Sequence, residues 1–99
     1  MAYYAALLHM LDPKKNEEVL LRHIEYLDKL DQMGKIFARG PFGDSSGGLV
    51  VYQANSYEEA LEMAENDPHI LEKSRRLELK EWMIYVPFTG SEEDACVLG

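Results

Sequence analysis

The chain has 99 residues, 46% of them hydrophobic, 10% aromatic and 28% charged, which suits one globular domain with a single core. Its formal net charge is −8, from 10 Lys and Arg against 18 Asp and Glu, which argues against a nucleic-acid backbone or an anionic membrane surface as partner, since both are held by clustered cations. The best apolar runs, near Gly48–Tyr52 and Trp82–Val86, are far too short to span a bilayer.

In chain order, Tyr3 to His9 reads as a first strand. Both of its alternate sets, Tyr3/Ala5/Leu7 and Tyr4/Ala6/Leu8, are apolar, so both sheet faces are expected to be covered. The same stretch lacks a basic n-region and a small-residue cleavage site, and so reads as a strand and not a signal peptide. Asp12-Pro13 breaks it and opens a helix to about Met33, where Gly34 is a left-handed stop. Lys35 to Ala38 is a second strand ended by Gly40-Pro41, and residues Gly43 to Gly48 are turn chemistry throughout. Leu49 to Ala54 is a third strand. Ser56-Tyr57-Glu58-Glu59 fits a capping box for a second helix, with Ala60, Leu61 and Ala64 on its apolar stripe. Pro68 disfavours helix at Asp67, and a short helical turn is expected around Ile70 to Lys73. Leu77 to Val86 alternates as a last strand, and residues 87–99 read as a tail.

The order β-α-β-β-α-β is the ferredoxin-like pattern, an α+β fold in which two helices cover one face of a four-stranded antiparallel sheet. Residues 1–86 are expected to form that single domain. The other sheet face should carry many apolar side chains, at roughly 25 cal/mol per Å² left in water. A homodimer packed through the open sheet face is the simplest remedy. In the tail, the lone Cys96 excludes an intrachain disulfide framework, which with the strand-like N-terminus predicts a cytoplasmic location. The final CVLG has a C-a-a-X outline, but its last residue is Gly and acidic residues precede it, so a solvated tail is expected.

Chemistry concentrates at few positions. With Leu20 set at zero on the first helix, Ile24 falls at about +40°, Leu27 at about −20° and His23 at about −60°. His23 therefore lies inside the apolar arc, either as a hydrogen-bonded core histidine or as a general base at the end of a helix–sheet pocket. Asp67, before Pro68, is either a turn former or a carboxylate from the second helix that fixes the tautomer of His23. Arg39-Gly40-Pro41 is either a strand end or a pocket rim where Arg39 orients an anionic group. Ser45 and Ser46 fit no nucleophile elbow. His9, His23 and His69 have no metal-ligand spacing, and no nucleotide-binding glycine motif occurs, so neither a metal nor a cofactor is predicted.

An opening apolar strand, His23-Ile24-Glu25-Tyr26-Leu27, Gly34-Lys35, Gly40-Pro41 and Gly47-Gly48 occur in that order. Ser56 with Glu58-Glu59-Ala60, Asp67-Pro68-His69 and Glu81-Trp82 follow. The ordered set resembles the YCII-related family, a branch of the dimeric α+β barrel superfamily, over residues 3 to about 86. The resemblance implies a ferredoxin-like fold, a sheet-to-sheet dimer and a His–Asp active site, which falls on His23 and Asp67. Two departures stand out. Many relatives carry an arginine where this chain has Leu20, with Arg22 beside the histidine instead. An aromatic residue often follows the Asp-Pro pair where this chain has His69, a second imidazole that either shuttles protons and contacts substrate beside the site or is merely exposed.

Three functions follow as expectations. One is a cofactor-free isomerisation or elimination on a small, ring-derived organic molecule, driven by a His–Asp acid/base pair, since superfamily relatives act on such compounds. The second is a dimeric module that binds a small metabolite without turning it over. The third is a dimer in which the pair only stabilises the fold.

Overall fold

The computed structural model describes residues 1–85. Its elements run β1 (Ala2–Met10), α1 (Pro13–Gln32), β2 (Ile36–Pro41), β3 (Gly47–Ala54), α2 (Tyr57–Glu65), α3 (Pro68–Leu71) and β4 (Arg75–Trp82). The four strands form one antiparallel sheet in the order β2-β3-β1-β4, with the helices on one face, the ferredoxin-like arrangement.

Local chemistry explains most boundaries. Asp12 caps α1 by accepting from the Lys15 N–H at 3.0 Å, and Pro13 occupies the first turn, where a missing N–H costs nothing. At the other end Gly34 takes φ +73°, while Lys35 N–H reaches the Leu30 carbonyl and Gly34 N–H the Asp31 carbonyl. These two bonds close a Schellman motif. Ser56 caps α2 by accepting from Glu59 N–H at 3.1 Å, and the Glu59 carboxylate turns back to the Asn55 N–H.

Four elements differ from the sequence expectation. β3 begins at Gly47, two residues early, because Leu8 and His9 of β1 pair with Gly48 and Gly47. β2 continues through Gly40 and Pro41, which pair with Leu49 and Gly48. β2 is an edge strand, so a proline without an N–H is tolerated there. β4 begins at Arg75, two residues early, because Met10 at the end of β1 is there to pair with it. It stops at Trp82 because Tyr3, opposite it, is almost the first residue of β1. The single turn α3 spans Pro68–Leu71, earlier than Ile70 to Lys73, because Asp67 caps it. Val86 and the expected tail, 87–99, with Cys96, lie outside the described residues.

Pairing carries alternate residues to opposite faces. Tyr4, Ala6 and Leu8 sit opposite Tyr52, Val50 and Gly48 on β3, and Ala6 and Leu8 sit opposite Leu79 and Leu77 on β4. With Leu27, Leu30, Ala60 and Ala64 from the helices they build the core. The uncovered face is mixed. Phe37, pushed out by a bulge between Ile36 and Ala38, packs edge-on against Tyr3 at 5.0 Å, and Trp82 lies near by register. Phe37 is 45% exposed and Trp82 42%. Along β1 and β4, however, His9 bonds Glu78 at 2.8 Å and Lys80 pairs with the same carboxylate at 3.1 Å. So the face is apolar on one side and charged on the other. No helix among the described residues is long and apolar enough to cross a membrane.

Candidate functional site

The helical arc reading of His23 holds in the fold: the side chain is buried beneath α1, on the same side as Val19, Leu27 and Leu30. Across from it, α2 ends, the chain turns, and Asp67 is presented as the N-cap of α3. The two residues are 44 positions apart in sequence, yet His23 Nδ1 lies 2.8 Å from Asp67 Oδ1 and 3.0 Å from Oδ2. Asp67 is 0% exposed. Its Oδ1 also accepts from the His69 backbone N–H at 2.9 Å. One carboxylate therefore both starts α3 and fixes the imidazole. An ionised carboxylate only accepts, so His23 Nδ1 carries the hydrogen and Nε2 keeps its lone pair when the ring is neutral. Among the described residues Nε2 has no hydrogen-bond partner.

The His23 ring lines a cleft of about 450 Å³ between α1 and the sheet. That volume lies in the range of small-molecule sites. Leu20, Ile24 and Leu27 of α1 form one wall; Leu8, Val50, Gly48 and the Arg39–Pro41 stretch form the other. The sequence had named Arg39, Gly40 and Pro41 as a rim, and all three line the cleft. Arg39, however, already holds two carboxylates of α1, Asp28 at 2.6 Å and Asp31 at 2.9 Å. Leu20, which stands where many relatives carry arginine, is part of the apolar wall, while Arg22 points elsewhere and lies 3.6 Å from Glu72.

His69 does not line the cleft, contrary to its reading as a substrate contact. It is fully buried behind His23, the two rings 4.3 Å apart between centroids. The reason is the α3 turn, which directs its ring inward to Ser74. There Nδ1 lies 2.7 Å from Ser74 Oγ, while the hydroxyl donates to the His69 carbonyl at 3.2 Å. Its Nε2 is buried with no partner among the described residues. Burial pushes the His69 pKa down to about 4, with the charges of His23 and Arg75 adding to the shift and Asp67 opposing it. His69 is thus neutral at neutral pH. Two tyrosines of the core lie close enough to Asp67 to feel its charge. Burial, aided by the charge of Asp67, raises the Tyr26 hydroxyl to about 12 and pushes Tyr52 up further. Tyr26 donates to the Met63 carbonyl at 2.7 Å.

One cleft residue was missed from the sequence. Arg75 lines the cleft at the start of β4 and is 8% exposed. Extending the Leu77/Leu79 alternation back by two residues places Arg75 on the helix-covered face. No local signal carries β4 back past Leu77; the pairing of Arg75 with Met10 does. Among the described residues no cluster of three metal-ligating side chains occurs.

Fold and site together define a small ferredoxin-like α+β protein with a helix–sheet cleft and a buried His–Asp pair on its wall. The chain belongs to the YCII-related domain family, whose model matches residues 2–83. A Bacillus subtilis (strain 168) protein described as "Uncharacterized protein YjpA" is 38% identical over 82 residues, covering 83% of this chain and 96% of that protein. Among solved structures, 5-chloro-2-hydroxyhydroquinone dehydrochlorinase (TftG) from Burkholderia phenoliruptrix AC1100, in complex with 2,5-dihydroxybenzoquinone, superposes with a TM-score of 0.69. That match covers 81% of this chain and 92% of the other at 20% identity, a likeness of fold.

Proposed function

We propose that the protein binds a small organic molecule in the α1–sheet cleft and moves a proton on it, with His23 as acid/base and Asp67 as its positioning partner. The observation that carries this is the geometry of His23: Nδ1 is held by a fully buried carboxylate while the opposite nitrogen, on a ring that lines the cleft, has no hydrogen-bond partner among the described residues. In the forward step His23 Nε2 takes a proton from a C–H or O–H of the ligand, and the electron pair of that bond moves into the adjacent π system. The imidazolium so formed is stabilised by Asp67. The proton then returns at another atom, giving isomerisation, or an anionic leaving group departs, giving elimination. No cofactor is required by either balance. The dehydrochlorinase activity named for the structural neighbour belongs to the same reaction class and supports the reading.

The protein works as a homodimer in this reading, packed through the uncovered sheet face at Tyr3, Phe37 and Trp82. The exposed aromatic side of that face favours it.

The test is a panel of hydroxyquinones, chlorinated hydroquinones and cyclic diketones in deuterated buffer, followed by chloride release and deuterium incorporation. Wild-type protein is expected to turn over at least one member. His23→Gln should slow it by about 10²–10⁴-fold, the usual worth of a positioned proton-transfer group. Equal rates for wild type and His23→Gln would sink the catalytic role. Tight binding with every compound recovered unchanged would support a metabolite-binding module instead.

A further inference from the structure

We propose that Arg75 sets the charge of the ligand: the cleft takes a compact organic monoanion, its oxyanion against the Arg75 guanidinium and its apolar body on Leu20, Ile24 and Leu27. This deepens the reading of the cleft as a small-molecule site and rests on it.

Arg75 is more than nine-tenths buried, and buried guanidinium groups are ordinarily matched by a carboxylate. Among the described residues none lies within ion-pair distance of it. Its one side-chain bond among the described residues is from Nε to the neutral Asn16 Oδ1, at 2.7 Å. The Asn16 bond fixes the plane of the group from the α1 side. From the sheet side Gly48 leaves room for it: a Cβ on Gly48 would stand 3.2 Å from Arg75 Nη1. So the guanidinium is clamped by neutral groups, with its Nη donors left over at the cleft wall. Arg39, the other cleft cation, shows the contrast, because two aspartates already neutralise it. Asp67 attracts Arg75 only through space, and its oxygens are committed to His23 and the α3 cap. In a chain of net charge −8, this guanidinium is, among the described residues, the cleft's unmatched positive group, so an anion entering here exchanges water for a charge-assisted pair. One planar cation and an otherwise apolar wall fit a monoanion such as a carboxylate or an ionised enol. They do not fit a phosphate dianion, which calls for several donors.

The same placement fits the chemistry. When His23 removes a proton from the bound monoanion, negative charge spreads from the reacting carbon towards the oxyanion held by Arg75. Arg75 then faces a charge that grows in the transition state, where a preorganised donor is most effective.

The experiment is a binding titration by calorimetry, with benzoate and 2-hydroxy-1,4-naphthoquinone, each a monoanion at neutral pH, as anionic probes and benzamide and 2-methoxy-1,4-naphthoquinone as their neutral counterparts. Wild-type protein should bind at least one anion tenfold or more tightly than its neutral counterpart. Arg75→Met should erase that preference while leaving the neutral probe unchanged. Benzoate alone would identify carboxylates as the ligand source; the quinone alone would identify ionised enols. Should Arg75→Met fail to fold, raising NaCl from 50 to 500 mM on wild type replaces it: anion affinity falls and neutral affinity does not. Equal affinity for charged and neutral probes, an anion preference retained in Arg75→Met, or no binding of any anion at millimolar concentration overturns the proposal. Binding is read without turnover, so an inactive protein that still selects anions through Arg75 would refute only the catalytic reading.

Discussion

The buried His69 makes the fold sensitive to acid in a defined window. Its side chain is fully enclosed, and its pKa falls from the ordinary 6.5 to about 4 in the native protein. Below pH 6.5 the unfolded chain takes up a proton that the native protein refuses. Stability attributable to this group is therefore complete above 6.5, drains away as pH falls towards 4, and is constant below that. At about 1.4 kcal/mol per pH unit, the gap makes a loss of roughly 3 kcal/mol, a large part of the 5–15 kcal/mol typical of a domain. The informative variant is His69→Asn. Its amide can still donate to Ser74 Oγ from near the position of Nδ1, but it does not titrate. The lost ring volume lowers its stability by an amount that does not depend on pH. Urea unfolding of both proteins from pH 8 to pH 3.5 measures the difference. The wild-type curve should fall more steeply by roughly 3 kcal/mol between 6.5 and 4. Parallel curves through that window would refute the reasoning, because they would mean that native His69 protonates as readily as in the open chain.

Two further outcomes follow from the fold. Gly47 takes φ +143°, and a Cβ there would collide with the Leu8 carbonyl across the β1–β3 ladder, so Gly47→Ala should cost about 3 kcal/mol or more, seen as a lower urea midpoint. Phe37→Glu puts a charge on the aromatic side of the uncovered face. If that face joins two copies, sedimentation should show a wild-type dimer and a variant monomer, and identical sedimentation of the two would rule the interface out.

Much of the local structure was legible in the chain because its signals are local. Asp12-Pro13 and Gly34 mark the ends of α1, the Ser56 capping box starts α2, and the alternation of β1 and β3 follows directly from side-chain period. What escaped depended on neighbours. β2 runs through Pro41 because, among the described residues, nothing pairs with its outer edge. β4 starts at Arg75 only because Met10 lies opposite.

By itself the sequence determined the element order, and with it the ferredoxin-like topology, since hydrophobic period and capping act within a few residues. It also placed His23 on the inner arc of α1, because helical geometry alone decides which way a side chain points. The tertiary structure decided the rest. It brought Asp67 to His23 across 44 residues, turned His69 away from the cleft, neutralised Arg39 with Asp28 and Asp31, and left Arg75 at the cleft wall with no carboxylate among the described residues. Those are relations between elements. They arise only when helix and sheet pack, and burial then sets which charges are matched and which are left for a ligand.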